Sequence, residues 1–277
     1  MIKVLIVGKN SYIGDSFAKI FGEEFEIHIV DAKNENWKTC NFSDFDSVIH
    51  CAGIAHVSHK KVSKEKYFEI NCDLAVAVAE QAKLHGTKQF IFLSSMAVYG
   101  KSFCEITKNT PPAPEDFYGT SKFEAEKKIC ALETENFKIC IVRPPMVYGA
   151  GCKGNFPKLA KLAKFTPIFP DIKNKRSMIY IDNLCAFLAE LVKKNCEGIF
   201  LPQNKNYVNT TELVKQIRRF YGKKTLTTKI FNPLINFFSK RVALINKIFG
   251  DLFYSHNEEL LFEKKNFIES VDETLRQ

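Results

Sequence analysis

The stretch IKVLIVGKNSYIG, residues 2–14, decides the fold. A short apolar run closed by a glycine reads as a buried strand. Gly8, Ser11 and Gly14 then stand at the spacing of a G-x-x-G-x-x-G turn, and a helical pattern runs from Ile13 to Phe21. In a strand-turn-helix that binds a dinucleotide, the first glycine makes the tight turn and the second lets the backbone approach the pyrophosphate. The third lets helix and strand pack closely. Gly8 and Gly14 keep the outer roles. Ser11 holds the middle one with a small side chain whose hydroxyl can donate to a phosphate oxygen, and the start of the helix adds N–H groups. A phosphate loop of the GxxxxGK type is excluded, because Lys9 is followed by Asn10 and no glycine lies five residues before Gly8.

Working outward, strand and helix patterns alternate. FEIHIV (25–30) ends at Asp31, and SVIHCAG (47–53) reads as another strand. A helical pattern over roughly 65–85 stops at Gly86. QFIFLSS (89–95) is a strand, 118–134 a helix and FKICIV (137–142) a strand. Apolar strands alternating with helices predict an α/β fold, a Rossmann doubly wound parallel sheet covered on both faces. The spacing between the second strand and SVIH is short, which predicts a reduced third strand or helix. After Arg143-Pro144-Pro145 the pattern changes to shorter pieces, with a helix at 183–194, a strand at GIFLPQ (198–203) and a helix at 211–221. We expect an NAD(P)-binding domain over 1–150, with 177–203 returning to it, and a smaller C-terminal substrate-binding lobe made mainly of 151–277.

The 277 residues are 45% apolar and 26% charged, the balance of a folded globular chain rather than a disordered one. The nine cysteines are odd in number and form no CxxC pair, which argues for reduced thiols and against a disulfide frame or a metal site. No secretory signal is visible, and no apolar stretch approaches the ~20 residues of a membrane span. A cytoplasmic location follows as the expectation. The net charge of +9 favours anionic partners. No nucleic-acid-binding motif accompanies it, so nucleic acid is not expected. KIFNPLINFFSKRVALINKIFG (229–250) is apolar and basic and contains no acid. It reads either as lobe helix packed on the core with its cations in solvent, or as peripheral membrane contact on an anionic surface.

Three further features carry chemistry. Asp31 ends the second strand 17 residues past Gly14, close to where an acid bonds the adenine ribose. An acid there favours NAD; Lys9 and Lys33 leave NADP open, and the alternative is an ordinary loop acid. YGTSK puts Tyr118 and Lys122 on one helix face, where an ammonium favours the phenolate and equips tyrosine as acid or base. A surface Tyr/Lys pair is the plain alternative. Ser95 lies 23 residues upstream of Tyr118 at a strand end, where the ligand crevice of such a sheet opens.

Together these pieces resemble an extended short-chain dehydrogenase/reductase of the nucleotide-sugar epimerase/dehydratase group, similar to the UDP-glucose/UDP-GlcNAc 4-epimerases. The resemblance rests on VGKNSYIG, VIHCAG (48–53), FLSSMAVYG (92–100), YGTSK, IVRPPMVYG (141–149) and RSMIYIDNL (176–184), in family order, and covers residues 1 to about 220. It implies a catalytic trio of Ser95, Tyr118 and Lys122, with Tyr118 exchanging a proton with a sugar hydroxyl. It implies that Gly8, Ser11, Tyr12, Ile13, Gly14 and Asp31 hold the cofactor, NAD with NADP as the variant. Cys51, Ala52, Gly53 and Pro145 join them, and Tyr118 and Lys122 also touch it.

For a nucleotide-diphosphate sugar, the resemblance implies Ser95, Asn155 in GNFPKL and Arg176 as substrate-binding residues. An arginine suits a diphosphate. Their ordinary alternatives are a helix-start residue for Asn155 and a surface ion pair for Arg176. Asp182 reads as a helix N-cap, and His56 and His59 as loop residues near the sugar. A homodimer through two helices is the family's habit. Met96-Ala97 stands where the family's dehydratases carry an acid pair, which argues against dehydration. The expected reaction is 4-epimerisation of a UDP-sugar by transient oxidation at C4, in surface polysaccharide precursor synthesis. The alternatives are 4-keto-sugar reduction on a UDP-linked or lipid-diphosphate-linked sugar and, from another class, a non-catalytic NAD-sensing protein.

Overall fold

The computed structural model describes residues 1–55, 62–100, 104–239, 241–255 and 264–276; His56 and His59 lie outside them. The first half of the chain runs β1 (Lys3–Val7), α1 (Tyr12–Phe21), β2 (Glu26–Val30), β3 (Ser47–His50), α2 (Lys64–Phe68), α3 (Leu74–Leu84), β4 (Gln89–Leu93), β5 (Glu105–Ile106), α4 (Phe117–Cys130) and β6 (Lys138–Val142). The second half runs β7 (Met146–Tyr148), α5 (Asn155–Phe165), β8 (Ile168–Pro170), β9 (Met178–Tyr180), α6 (Ile181–Lys193), β10 (Gly198–Phe200), α7 (Thr210–Phe220), β11 (Leu226–Thr228), α8 (Asn232–Ser239), α9 (Ala243–Phe249), β12 (Phe253–Tyr254) and α10 (Phe267–Leu275).

Six strands form one parallel sheet in the order β10-β6-β4-β3-β1-β2. Side chains of successive strand residues leave on opposite faces. Val4 and Ile6 therefore enter a core with Phe17 and Phe21 of α1 and the apolar side of α6. Leu5 and Val7 enter a second core with Val48, Phe90, Phe92 and Ala75, Val78 and Ala79 of α3. Burial on both faces is why these strands read as continuous apolar runs. Each buried aliphatic side chain stabilises the fold by about 1.5–3 kcal/mol. Between β2 and β3 the chain makes only two 3-10 turns, Glu35–Thr39 and Phe42–Asp44, so β2 is the sheet edge and the third strand of a full doubly wound half is missing.

The register aligns Val7 with both Val30 and His50, which brings Gly8, Asp31 and Cys51 to one end of the sheet. In this kind of sheet that end is where ligands bind. Among the described residues, three two-stranded pairs stand apart from this sheet, β11-β8, β12-β5 and β7-β9. Asp182 is not an N-cap: α6 starts at Ile181, Tyr180 occupies the cap, and the Asp182 carboxylate pairs with Lys265 at 3.0 Å. The helix begins earlier than expected because Met178–Tyr180 is a strand that runs directly into it.

Candidate active site

The glycine turn is fixed by close packing. Gly8 has a φ of +136°, and a Cβ on it would lie 2.8 Å from the Ala52 nitrogen, so only glycine fits. The N–H groups of Gly8 and Lys9 donate to the Val30 carbonyl, and those of Cys51 and Ala52 to the Val7 carbonyl. Ser11 is the N-cap of α1; its Oγ accepts from the Gly14 N–H at 3.2 Å. A Cβ on Gly14 would lie 2.5 Å from that Oγ and 2.8 Å from Ile6 Cγ2, so the third glycine is a packing requirement. The first N–H groups of a helix have no intrahelical acceptor. With Gly14 satisfied by Ser11, those of Tyr12 and Ile13 remain for an anion. Burial pushes the Cys51 thiol up to about 12, against an opposing hydrogen bond from Ser11.

Asp31 follows β2 directly, and its Oδ1 accepts from the Lys33 N–H at 2.9 Å. The tight glycines, the N–H groups at the start of α1 and a carboxylate past the second strand together fit a dinucleotide. Tyr12 points elsewhere. Its hydroxyl is buried with no hydrogen-bond partner among the described residues. It would lie 2.6 Å from a Cβ on Gly149, and burial raises its phenol.

Next to this turn sit Lys122, Tyr118 and Ser95. Asp116 caps α4 through a 2.8 Å bond from the Gly119 N–H, which fixes Tyr118 in the first turn and Lys122 one turn on. Lys122 is buried, its Nζ donates to the Leu93 carbonyl at 2.8 Å, and it lies 4.5 Å from the Phe92 ring centre. Burial lowers its pKa to about 8, although the nearby Cys51 and Glu126 favour the ammonium. A Cβ on Gly53 would approach Lys122 Nζ to 3.3 Å, so the glycine keeps the lysine's end of the crevice open. Ser95 caps a 3-10 turn, Met96–Tyr99, by accepting from the Ala97 N–H at 3.1 Å. Burial raises the half-buried Tyr118 phenol, and its hydrogen bond with Ser95 acts in the opposite direction. The Lys122 ammonium is engaged by the Leu93 carbonyl instead.

Sequence reasoning missed the polar residues that brace this cluster. Asn71 is fully buried on a π-helical turn, Glu69–Asp73, a device often found at functional sites. Its side chain accepts from the Ile54 N–H and donates to the Ile54 carbonyl and to Ser121 Oγ, tying the loop after β3 to α4. The signal was present as an asparagine inside a long helical pattern. Glu126, one turn beyond Lys122, takes two hydrogen bonds from Arg143 and one from Ser94. Arg143 also donates to the Tyr99 hydroxyl at 2.7 Å. Burial alone would lower the guanidinium's pKa, but the Glu126 bonds outweigh it. His50 is fully buried beside Phe90 and Phe92, with no hydrogen-bond partner on either ring nitrogen within standard distance among the described residues; burial lowers it to about 3, with Lys122 acting the same way and the Ala52 backbone against it.

The remaining expected residues lie on the later segments. Pro145 is buried just past β6. Asn155 is the first residue of α5, after a Gly154 cap. Arg176 bridges Val208 and Leu252 through its backbone, and its guanidinium donates to the Gly250 carbonyl at 2.9 Å. Burial lowers its pKa, opposed by Asp251. No hydrogen bond or ion pair joins Asn155 or Arg176 to the trio among the described residues. A cavity of about 410 Å³ between α5, α7 and α10, lined by Phe156, Lys161, Tyr221 and Leu275 among others, includes none of the trio. All nine cysteines are free, and among the described residues no cluster is placed to hold a metal ion.

Residues 4–200 match the NAD dependent epimerase/dehydratase family. The chain is 38% identical over 189 residues to a UDP-glucose 4-epimerase of Vibrio cholerae, a match covering 64% of this chain and 58% of that protein. It is 25% identical over 255 residues to the N-acetyl-alpha-D-glucosaminyl-diphospho-ditrans,octacis-undecaprenol 4-epimerase of Escherichia coli O157:H7, covering 83% of this chain and 76% of the relative. Among solved structures, the UDP-Glc/GlcNAc 4-epimerase of Campylobacter jejuni superposes with a TM-score of 0.75 at 19% identity, over 99% of this chain and 98% of that one. A dTDP-4-dehydrorhamnose reductase of Bacillus anthracis in complex with NADP gives 0.74 at 20% identity, over 99% of both chains. These two likenesses establish the shared fold.

Proposed function

The chain belongs to the NAD dependent epimerase/dehydratase family, and on that premise we propose that it is a sugar 4-epimerase acting on a UDP-linked sugar by transient oxidation at C4. The observation that carries the reading is the convergence of Ser95, Tyr118 and Lys122 beside the glycine turn and Gly53. Gly8, the N–H groups of Tyr12 and Ile13, and Asp31 would hold NAD across the end of the sheet. When bound, NAD supplies a reversible hydride acceptor.

The chain's own residues do the rest. Tyr118 takes the proton of the C4 hydroxyl in one half-reaction and returns one in the other. Ser95, held by its bond from Ala97, orients the same oxygen. Lys122, held by Leu93, supplies a fixed cation at the inner end of the site. Proton transfer by a positioned side chain contributes roughly 10²–10⁴-fold to rate. Residues 1–150 with 177–203 would carry the cofactor, and 151–277 mainly the sugar nucleotide, with Asn155 and Arg176 on it. Identity to the E. coli relative over 83% of the chain supports a second substrate, a sugar carried on a lipid diphosphate.

Incubating the purified chain with UDP-GlcNAc and UDP-Glc, without added reductant, tests the reaction. Appearance of the 4-epimer supports epimerisation. Turnover only of a UDP-4-keto sugar, and only with NADPH, would replace it by a reductase.

A further inference from the structure

Two stretches of the chain are free of acids, one between Glu135 and Asp171 and one between Glu212 and Asp251. The fold joins them. β8 from the first pairs in parallel with β11 from the second, with Ile168 and Leu226 as register partners. Lys223 donates to the Lys164 carbonyl at 3.0 Å and lies 5.7 Å from the Phe165 ring centre. Asn232, the first residue of α8, donates to the Asp171 carbonyl, and Phe249 of α9 packs on Phe169.

The result is one continuous face with its apolar side chains turned outward. Phe165 is 70% exposed, Leu226 67%, Ile230 82% and Leu234 58%; Ile168, Phe231 and Phe237 are exposed with them. A lobe helix packed on the core would bury these residues, and an ordinary soluble surface rarely presents so extended an apolar patch. Cations are interleaved with them. Lys158, Lys161, Lys223, Lys224, Lys229 and Arg241 are exposed, and the Arg241 guanidinium lies 4.1 Å from the Phe237 ring centre.

We propose that this face docks on an anionic lipid bilayer. Phe, Leu and Ile side chains enter the headgroup boundary while lysine and arginine meet the phosphates above it. A second copy of the chain is disfavoured as occupant, because a two-fold contact sets the same patch against itself and brings these cations face to face. The inference does not depend on the proposed reaction. It bears on it at one point: Gly250 caps the end of α9, and its carbonyl holds Arg176, the residue proposed for the diphosphate.

The test is co-sedimentation of the full chain with phosphatidylcholine vesicles, with and without phosphatidylglycerol. We expect binding only to the anionic vesicles, weakened by salt. Lys229→Glu and Arg241→Glu should each weaken it about fivefold or more, and Leu234→Glu at least about tenfold. Lys83→Glu, on an exposed part of α3, should leave it unchanged. These side chains are exposed, so circular dichroism should show every variant folded. No anionic preference, or unchanged binding by Leu234→Glu, overturns the proposal. So does a concentration-dependent dimer without vesicles that Leu234→Glu abolishes, which would assign the face to a second copy. Absence of binding to either vesicle also overturns it and leaves the face to a protein partner.

Discussion

The Lys122 ammonium donates to the Leu93 carbonyl across 2.8 Å, fixing a buried cation at the end of the strand that leads to Ser95. Burial holds its pKa at about 8, below the ordinary 10.5. Between those values the unfolded chain binds a proton that the folded chain has released, so stability rises with pH across that window. Below about 8 the full cost of the buried charge remains. We expect a gain of about 3 kcal/mol from pH 8 to above 10 in this residue's contribution. Urea midpoints for the native chain and Lys122→Met measure it as a difference. The variant should lack the rise, and an identical pH profile in both would contradict the buried-ammonium assignment.

Glu126 and Arg143 form a buried ion pair beneath this site, with Ser94 and Tyr99 bonded to it. Glu126→Gln leaves an uncompensated guanidinium and should destabilise the chain by about 3–5 kcal/mol. Glu126→Gln combined with Arg143→Met should recover much of that loss, because the charge left behind is the larger part of the penalty. Denaturant unfolding of the three proteins reads this directly. A double variant as unstable as the single one would show that the hydrogen bonds, not the charge, dominate.

Ser11 brings to the turn a small side chain and a hydroxyl suited to a phosphate oxygen. Its Oγ accepts from Gly14 as the cap of α1. Ser11→Ala should cost about 1 kcal/mol of stability and Ser11→Gly only a few tenths. NAD affinity by calorimetry should stay within about twofold of native in Ser11→Gly, since glycine keeps the N–H groups of the turn free. A tenfold loss would make the hydroxyl a pyrophosphate ligand.

His50 is a separate case, a fully buried imidazole with no hydrogen-bond partner among the described residues and a pKa lowered to about 3. Its folded-state value lies below the ordinary 6.5, so the folded chain loses stability as pH falls from there toward 3. His50→Leu should flatten that acid limb and stabilise the chain at pH 7 by about 1 kcal/mol or more, by removing unpaired polar atoms. Thermal melts between pH 4 and 7 decide it. A less stable variant would mean that His50 has a partner such as a buried water.

The parallel sheet, the glycine turn and the trio were legible because each rests on local pattern: apolar runs, glycine spacing and the i, i+4 step of a helix. The supporting residues were not. Asn71, Glu126 and Arg143 act across 17 to 50 residues of sequence through buried hydrogen bonds, and nothing near each residue announces its partner. The Asp182 cap failed for a similar reason, since the strand at Met178–Tyr180 sets where α6 begins. For the apolar segment 229–250, the sequence offered burial or a membrane surface. The fold leaves Ile230, Leu234 and Phe237 exposed, which does not fit burial and is the basis of the proposed bilayer docking.

In the proposed reaction, Tyr118 and its neighbours reverse one stereocentre by removing and restoring hydrogen at C4. The most direct measurement supplies UDP-glucose or UDP-GlcNAc deuterated at C4, without added reductant, and follows the sugar by NMR. Hydride stored on the cofactor and returned gives the 4-epimer with deuterium retained at C4, and a folded Tyr118→Phe should lose at least about 10²-fold in rate. Deuterium washed into solvent, or full turnover by Tyr118→Phe, would contradict it.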